Sequence, residues 1–122
     1  MLRTASLFVA AVVVLAVASN AAFAHRSAVP VLKGTVGPGY TISLKRNGAK
    51  VKTLKAGKYL FVISDKASIH NFTLQRGNGG GRALTKVPFV GTKSVLITLT
   101  KGRWKYYCTP HESIMFGYFT VH

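Results

Sequence analysis

Residues 95–117 read VLITLTKGRWKYYCTPHESIMFG. Val95 to Leu99 is a run of aliphatic and β-branched residues, Lys101-Gly102 is a turn pair, and Trp104 to Cys108 is a second run. At a two-residue period Trp104, Tyr106 and Cys108 share one face of that second strand. The chain then leaves through Thr109-Pro110, passes His111 and Met115, and re-enters extended structure at Gly117, with Phe119 and Val121 marking a final strand. Strand, tight turn, strand, short chemically loaded loop, strand: this grammar belongs to an antiparallel β protein.

The preceding residues repeat it. Tyr40, Ile42 and Leu44 alternate with Thr41 and Ser43, as in a half-buried strand. Asn47-Gly48 is a hairpin signal, because both residue types accept positive φ. Lys50 to Leu54 is a polar return strand suited to a sheet edge. Ala56-Gly57 turns the chain into the strand Lys58 to Ile63, and Ile69 to Leu74 reads as another, with His70, Phe72 and Leu74 on one face. Arg76 to Arg82, with Gly77, Gly79, Gly80 and Gly81, is expected to be a mobile surface loop. It lacks the Gly-Lys-Ser/Thr ending of a phosphate-binding loop, which removes nucleotide binding from consideration. No stretch carries apolar residues at sustained helical spacing. The predicted fold is all-β, a Greek-key β-sandwich.

The N-terminus has a different character. Arg3 is followed by an apolar run from Leu7 to Ala18 and by Ala22-Phe23-Ala24, a small-x-small cleavage pattern. Residues 1–24 are therefore expected to be a signal peptide that is removed, 25–32 a tether and 33–122 the folded domain. The run is short for a membrane span, so no stable insertion is expected after cleavage. Export places the protein in the periplasm or outside the cell. A lipid anchor at the cleavage site is excluded, because the single cysteine is Cys108.

Charge is lopsided, with 17 Lys and Arg against 2 Asp and Glu, a formal net of +15. Loss of Arg3 with the export segment lowers that by one. Such a field draws acidic protein faces, anionic surfaces or nucleic acid; export argues against nucleic acid. The basic residues are scattered, so the plainer reading of solubility with weak nonspecific attraction stands beside a specific acidic partner.

A lone cysteine in an oxidising compartment cannot close a disulfide within its own chain. It is a buried thiol, an intermolecular bridge or a metal ligand, and the three-residue step to His111 favours the last. With His70 the set becomes two imidazoles, one thiolate and, at Met115, one thioether. That is the donor set of a blue-copper electron-transfer site: imidazole suits Cu(II), and the sulfurs suit Cu(I). Met115 is the one thioether left once Met1 departs. Zinc accepts Cys and His, but a thioether serves it poorly. A Cys–His nucleophile needs an orienting group and a substrate cleft, and neither is evident. His25 would become a chelating N-terminus only if cleavage follows Ala24. Asn71-Phe72-Thr73 matches a glycosylation sequon, read as chance beside a ligand.

Taken together, Ser68-Ile69-His70-Asn71-Phe72-Thr73-Leu74, Cys108-Thr109-Pro110-His111-x-x-x-Met115-x-Gly117, the Gly37-Pro38-Gly39-Tyr40 start and the Asn47-Gly48 hairpin resemble the cupredoxins, the plastocyanin- and azurin-like type 1 blue copper proteins. The resemblance covers nearly all of the chain beyond the export segment. It implies one copper ion at one end of the sandwich, with His70, Cys108 and His111 as equatorial ligands and Met115 axial. It implies that Asn71 ties the two ligand loops together. His111 would present its ring edge through an apolar patch formed by Ile114 and Phe116 with Pro88 and Phe89. The expected function is a monomeric carrier of single electrons between redox proteins, with no catalysed reaction. A copper-delivery protein that does not cycle the ion is the alternative, and a metal-free basic sandwich used for adhesion is a third.

Overall fold

The computed structural model describes residues 28–122. The expected export segment and His25 lie outside the described residues. Ten strands follow one another: β1 Val31–Val36, β2 Ile42–Arg46, β3 Ala49–Lys50, β4 Thr53–Leu54, β5 Gly57–Asp65, β6 Thr73–Arg76, β7 Arg82–Ala83, β8 Gly91–Leu99, β9 Gly102–Tyr107 and β10 Phe116–Val121. The one helical element among them is a single 3-10 turn, Thr109–His111. No helix among the described residues is long and apolar enough to cross a membrane.

The strands form two five-stranded sheets, ordered β3-β2-β1-β5-β8 and β4-β10-β9-β6-β7. Within them β1 runs parallel to β5 and β4 parallel to β10; the other pairings are antiparallel. The links β4–β5, β5–β6, β7–β8 and β8–β9 cross from one sheet to the other, so the expected Greek-key sandwich is what forms.

Alternation supplies the core. Tyr59, Phe61 and Ile63 of β5 face inward, as do Phe119 and Val121 of β10 and Trp104 and Tyr106 of β9. Burying each such aliphatic or aromatic side chain contributes about 1.5–3 kcal/mol. Flat aromatic contacts join the layers: Phe72 stacks on Tyr106 at 5.7 Å, and Trp104 on Phe119 at 6.2 Å. Asn47 (φ 50°) and Gly48 (φ 80°) make the hairpin turn their types predict, pairing Arg46 with Ala49.

Three local expectations change. β1 starts at Val31, inside the stretch read as a tether. Its inward positions are Leu32, Gly34 and Val36, and a glycine in the middle hides the alternation from a hydropathy reading. Gly34 leaves room there for Ile63 and Phe72, whose nearer ring carbon would lie 2.8 Å from an added Cβ. The single return strand expected over Lys50 to Leu54 is two short ones, β3 and β4, because the chain changes sheets between them. The strand expected from Ile69 begins only at Thr73. His70 and Asn71 therefore belong to the β5–β6 connection, and neighbours Asn71, Phe72 and Thr73 are all buried rather than alternating.

Candidate metal centre

Three connections meet at one end of the sandwich. β1 and β5 finish side by side, Val36 opposite Asp65, and the β5–β6 connection leaves from there carrying His70. Thr73, opening β6, pairs with Tyr107, the last residue of β9, so the β9–β10 connection starts beside it. Sheet pairing thus brings residue 70 to residue 108.

The β9–β10 connection is fastened at its base, where Cys108 N–H donates to Met115 C=O at 3.0 Å. Inside it, His111 N–H donates to Cys108 C=O at 3.1 Å and Met115 N–H to His111 C=O at 2.9 Å. Pro110 enters the 3-10 turn at a position where its missing N–H costs nothing. Cys108, Met115 and His70 are fully buried; His111 is half-buried and is the one of the four with an edge toward solvent.

The donor atoms converge. His70 Nδ1 lies 3.1 Å from His111 Nδ1; Cys108 Sγ lies 3.6 Å from the first and 3.5 Å from the second. A point equidistant from those three atoms sits about 2.0 Å from each, by the geometry of the triangle. Protein metal–imidazole bonds run about 2.0–2.1 Å and metal–thiolate bonds about 2.3 Å, taking zinc as the yardstick. The triangle is therefore the size of a trigonal ligand plane. Three side chains from two connections put their lone pairs on one point, and the residues fit a bound ion.

Around them lies a polar frame. Asn71 Oδ1 accepts Thr109 N–H at 2.7 Å, and Asn71 Nδ2 donates to Thr109 Oγ1 at 3.1 Å. Thr109 Oγ1 also meets Thr73 Oγ1 at 2.9 Å. The tie between ligand loops expected of Asn71 is thus present, and both Thr73 and Thr109 share in it. Behind, Thr85 Oγ1 accepts Phe72 N–H and donates to the buried carboxylate of Asp65, each at 2.9 Å. That clasp joins the end of β5 to the segment carrying His70.

Sequence reading missed Gly37, Tyr40, Asp65 and Thr85 as parts of this end of the molecule. Their contacts span tens of residues, and no local spacing announces them. Gly117, read as a turn into β10, has another role: it lies within the strand with the Tyr106 ring directly above it, leaving no space for a Cβ. Glu112 pairs with Lys105 Nζ at 2.8 Å. The hydrogen bond to that carboxylate holds the Lys105 ammonium above its ordinary range and partly offsets the acid's charge. Ile114, Phe116 and Phe89 are 62%, 46% and 37% exposed, and Pro88 is exposed with them.

No protein-family model and no curated protein matches this sequence. Solved structures do match. Auracyanin A, a "blue" copper protein from the green thermophilic photosynthetic bacterium Chloroflexus aurantiacus, superposes with a TM-score of 0.53 at 17% identity, covering 75% of this chain and 98% of that one. Reduced rusticyanin superposes with a TM-score of 0.51 at 20% identity, over 75% of this chain and 78% of that one. A further structure of rusticyanin, described as a copper protein, gives 0.51 at 19% identity, over 75% and 76%. At such identities the likeness is one of fold.

Proposed function

We propose that this chain, whose sandwich is of the cupredoxin kind, is an exported carrier of single electrons built around one type 1 copper ion. The observation that carries the reading is the triangle of two imidazole nitrogens and one thiolate sulfur, with sides of 3.1, 3.5 and 3.6 Å. His70, Cys108 and His111 would hold the ion and Met115 would stand as the farther sulfur. Bound copper supplies the one-electron change between Cu(II) and Cu(I), which this mixed nitrogen and sulfur set accommodates in both states.

The chain contributes rigidity and access. The backbone fastening from Cys108 to Met115 and the Asn71–Thr109 bonds hold the donors in one arrangement, so little has to move when the charge changes. His70 is buried while His111 reaches the surface, and the exposed Ile114 and Phe116 flank it in sequence. That is where a redox protein would dock, with its own apolar contact. The net charge of +15, or one less after export, would steer an acidic partner to it, and more strongly at low salt. No substrate reaction is assigned.

Titration of the purified chain with Cu(II) tests the reading. One equivalent should produce the intense visible absorption of a copper–thiolate bond and a reversible one-electron wave in voltammetry, and Cys108→Ser should abolish the colour. A pale adduct without a reversible wave would support the copper-delivery alternative. Absence of binding, or colour that survives Cys108→Ser, would end the proposal.

A further inference from the structure

An imidazole that binds a metal is ordinarily aligned by a hydrogen bond from its other ring nitrogen. His70 departs from that pattern: Nε2 is buried with no hydrogen-bond partner among the described residues. Its ring must be set by packing instead, and the packing comes from the loop between β1 and β2.

Gly37, at φ +74°, approaches so closely that an added Cβ would lie 3.2 Å from His70 Cδ2 and 3.2 Å from Ala67 Cβ. Its N–H donates to Thr41 C=O at 2.9 Å, which closes the loop. Within that loop Tyr40 turns its ring against both imidazoles. Its centroid is 5.3 Å from that of His70, with the planes at 73°, and 4.9 Å from that of His111, with the planes at 86°. The two imidazoles meet each other at 4.9 Å and 79°. Each pair is edge-to-face, the arrangement that ring quadrupoles favour. Tyr40 is nonetheless 57% exposed, so it is not a core residue that happens to pass nearby. Its buried surface is spent largely on those rings.

We infer that Tyr40 is a positioning residue for the centre. Its ring holds both imidazoles in the ligating orientation, doing for His70 what a hydrogen bond on Nε2 would do, and keeps water off their faces. The consequence for metal retention rests on the copper reading; the packing does not. Removing an outer partner of a ligating histidine weakens metal binding by about 10- to 100-fold, and Tyr40 partners two.

The test uses Tyr40→Ala and Tyr40→Phe in the full chain. In the metal-free proteins, proton resonances of the His70 and His111 rings carry the ring-current shift of Tyr40; the alanine variant should lose it for both histidines and the phenylalanine variant should keep it. After loading with Cu(II), loss of copper to a chelator should be about tenfold or more faster in Tyr40→Ala and near the wild-type rate in Tyr40→Phe. Copper retention unaffected by Tyr40→Ala, or equally impaired in both variants, overturns the inference. A wild-type chain that takes up no copper sinks the electron-carrier reading alone. The metal-free spectra then decide: histidine ring resonances unmoved in Tyr40→Ala refute the positioning role, and resonances that move in both rings uphold it.

Discussion

Replacing Asn71 by alanine removes the direct side-chain link between the two ligand-bearing connections, and its cost can be worked from the bonds it makes. Asn71 accepts one hydrogen bond from the Thr109 backbone and donates one to the Thr109 hydroxyl, at 2.7 and 3.1 Å. Two neutral intramolecular bonds are worth about 1–3 kcal/mol net, and a Thr109 N–H left without its acceptor in a half-buried place adds about 1 kcal/mol. The metal-free protein should therefore lose about 2–4 kcal/mol on Asn71→Ala. With a urea dependence of about 1–3 kcal/mol per molar, the unfolding midpoint falls by about 1–2 M at an unchanged slope. A double-mutant cycle with Thr109→Ala separates the parts. That variant keeps the backbone N–H and deletes the hydroxyl, so the coupling isolates the Nδ2 to Oγ1 bond and should be about 0.5–1.5 kcal/mol. Additivity within about 0.3 kcal/mol, or a loss on Asn71→Ala below about 0.5 kcal/mol, would refute the view that these bonds clamp the loops before any ion arrives.

Other perturbations probe the surroundings. Gly117→Ala drives a methyl into the buried Tyr106 ring, a neighbour with no open side to move toward; chemical denaturation should register a loss of about 1–3 kcal/mol. Thr85→Val keeps the shape but strands Phe72 N–H and takes a donor from buried Asp65, so thermal and urea unfolding should show about 2–4 kcal/mol lost, while Thr85→Ser retains most of it. Burial raises the Tyr106 phenol above its ordinary 10.0, outweighing a backbone hydrogen bond with Leu44 that lowers it. The folded protein then keeps a proton that the unfolded chain releases, so this group's contribution is whole below about pH 10 and declines as pH climbs beyond it. Stability measured against pH should show that alkaline decline shrink in Tyr106→Phe.

Much of the molecule was legible because its signals are local. The hairpin at Asn47-Gly48 follows from which residues tolerate positive φ, and the inward face of β9 follows from the two-residue period that puts Trp104, Tyr106 and Cys108 together. The Cys108 to Met115 segment is short enough that its own backbone bonds close it, so a Cys, a His and a Met at those spacings imply proximity without help from the rest of the chain. His70 was read correctly as facing inward but wrongly as part of a strand, since a ligand-bearing connection buried on all sides loses the alternation that marks a sheet.

The amino-acid order by itself determined a basic all-β chain and the kinds of donor atom it can offer an ion, because periodicity and side-chain chemistry act within a few residues. Tertiary structure alone decided that the donors meet in a triangle of metal-binding size, that Asp65 and Thr85 brace the segment behind His70, and that Tyr40 rather than a hydrogen bond faces both imidazoles. Those contacts depend on which strands lie side by side. Pairing of β1 with β5 and of β6 with β9 is chosen by burial of the whole core at once, and no single stretch of the chain carries that information.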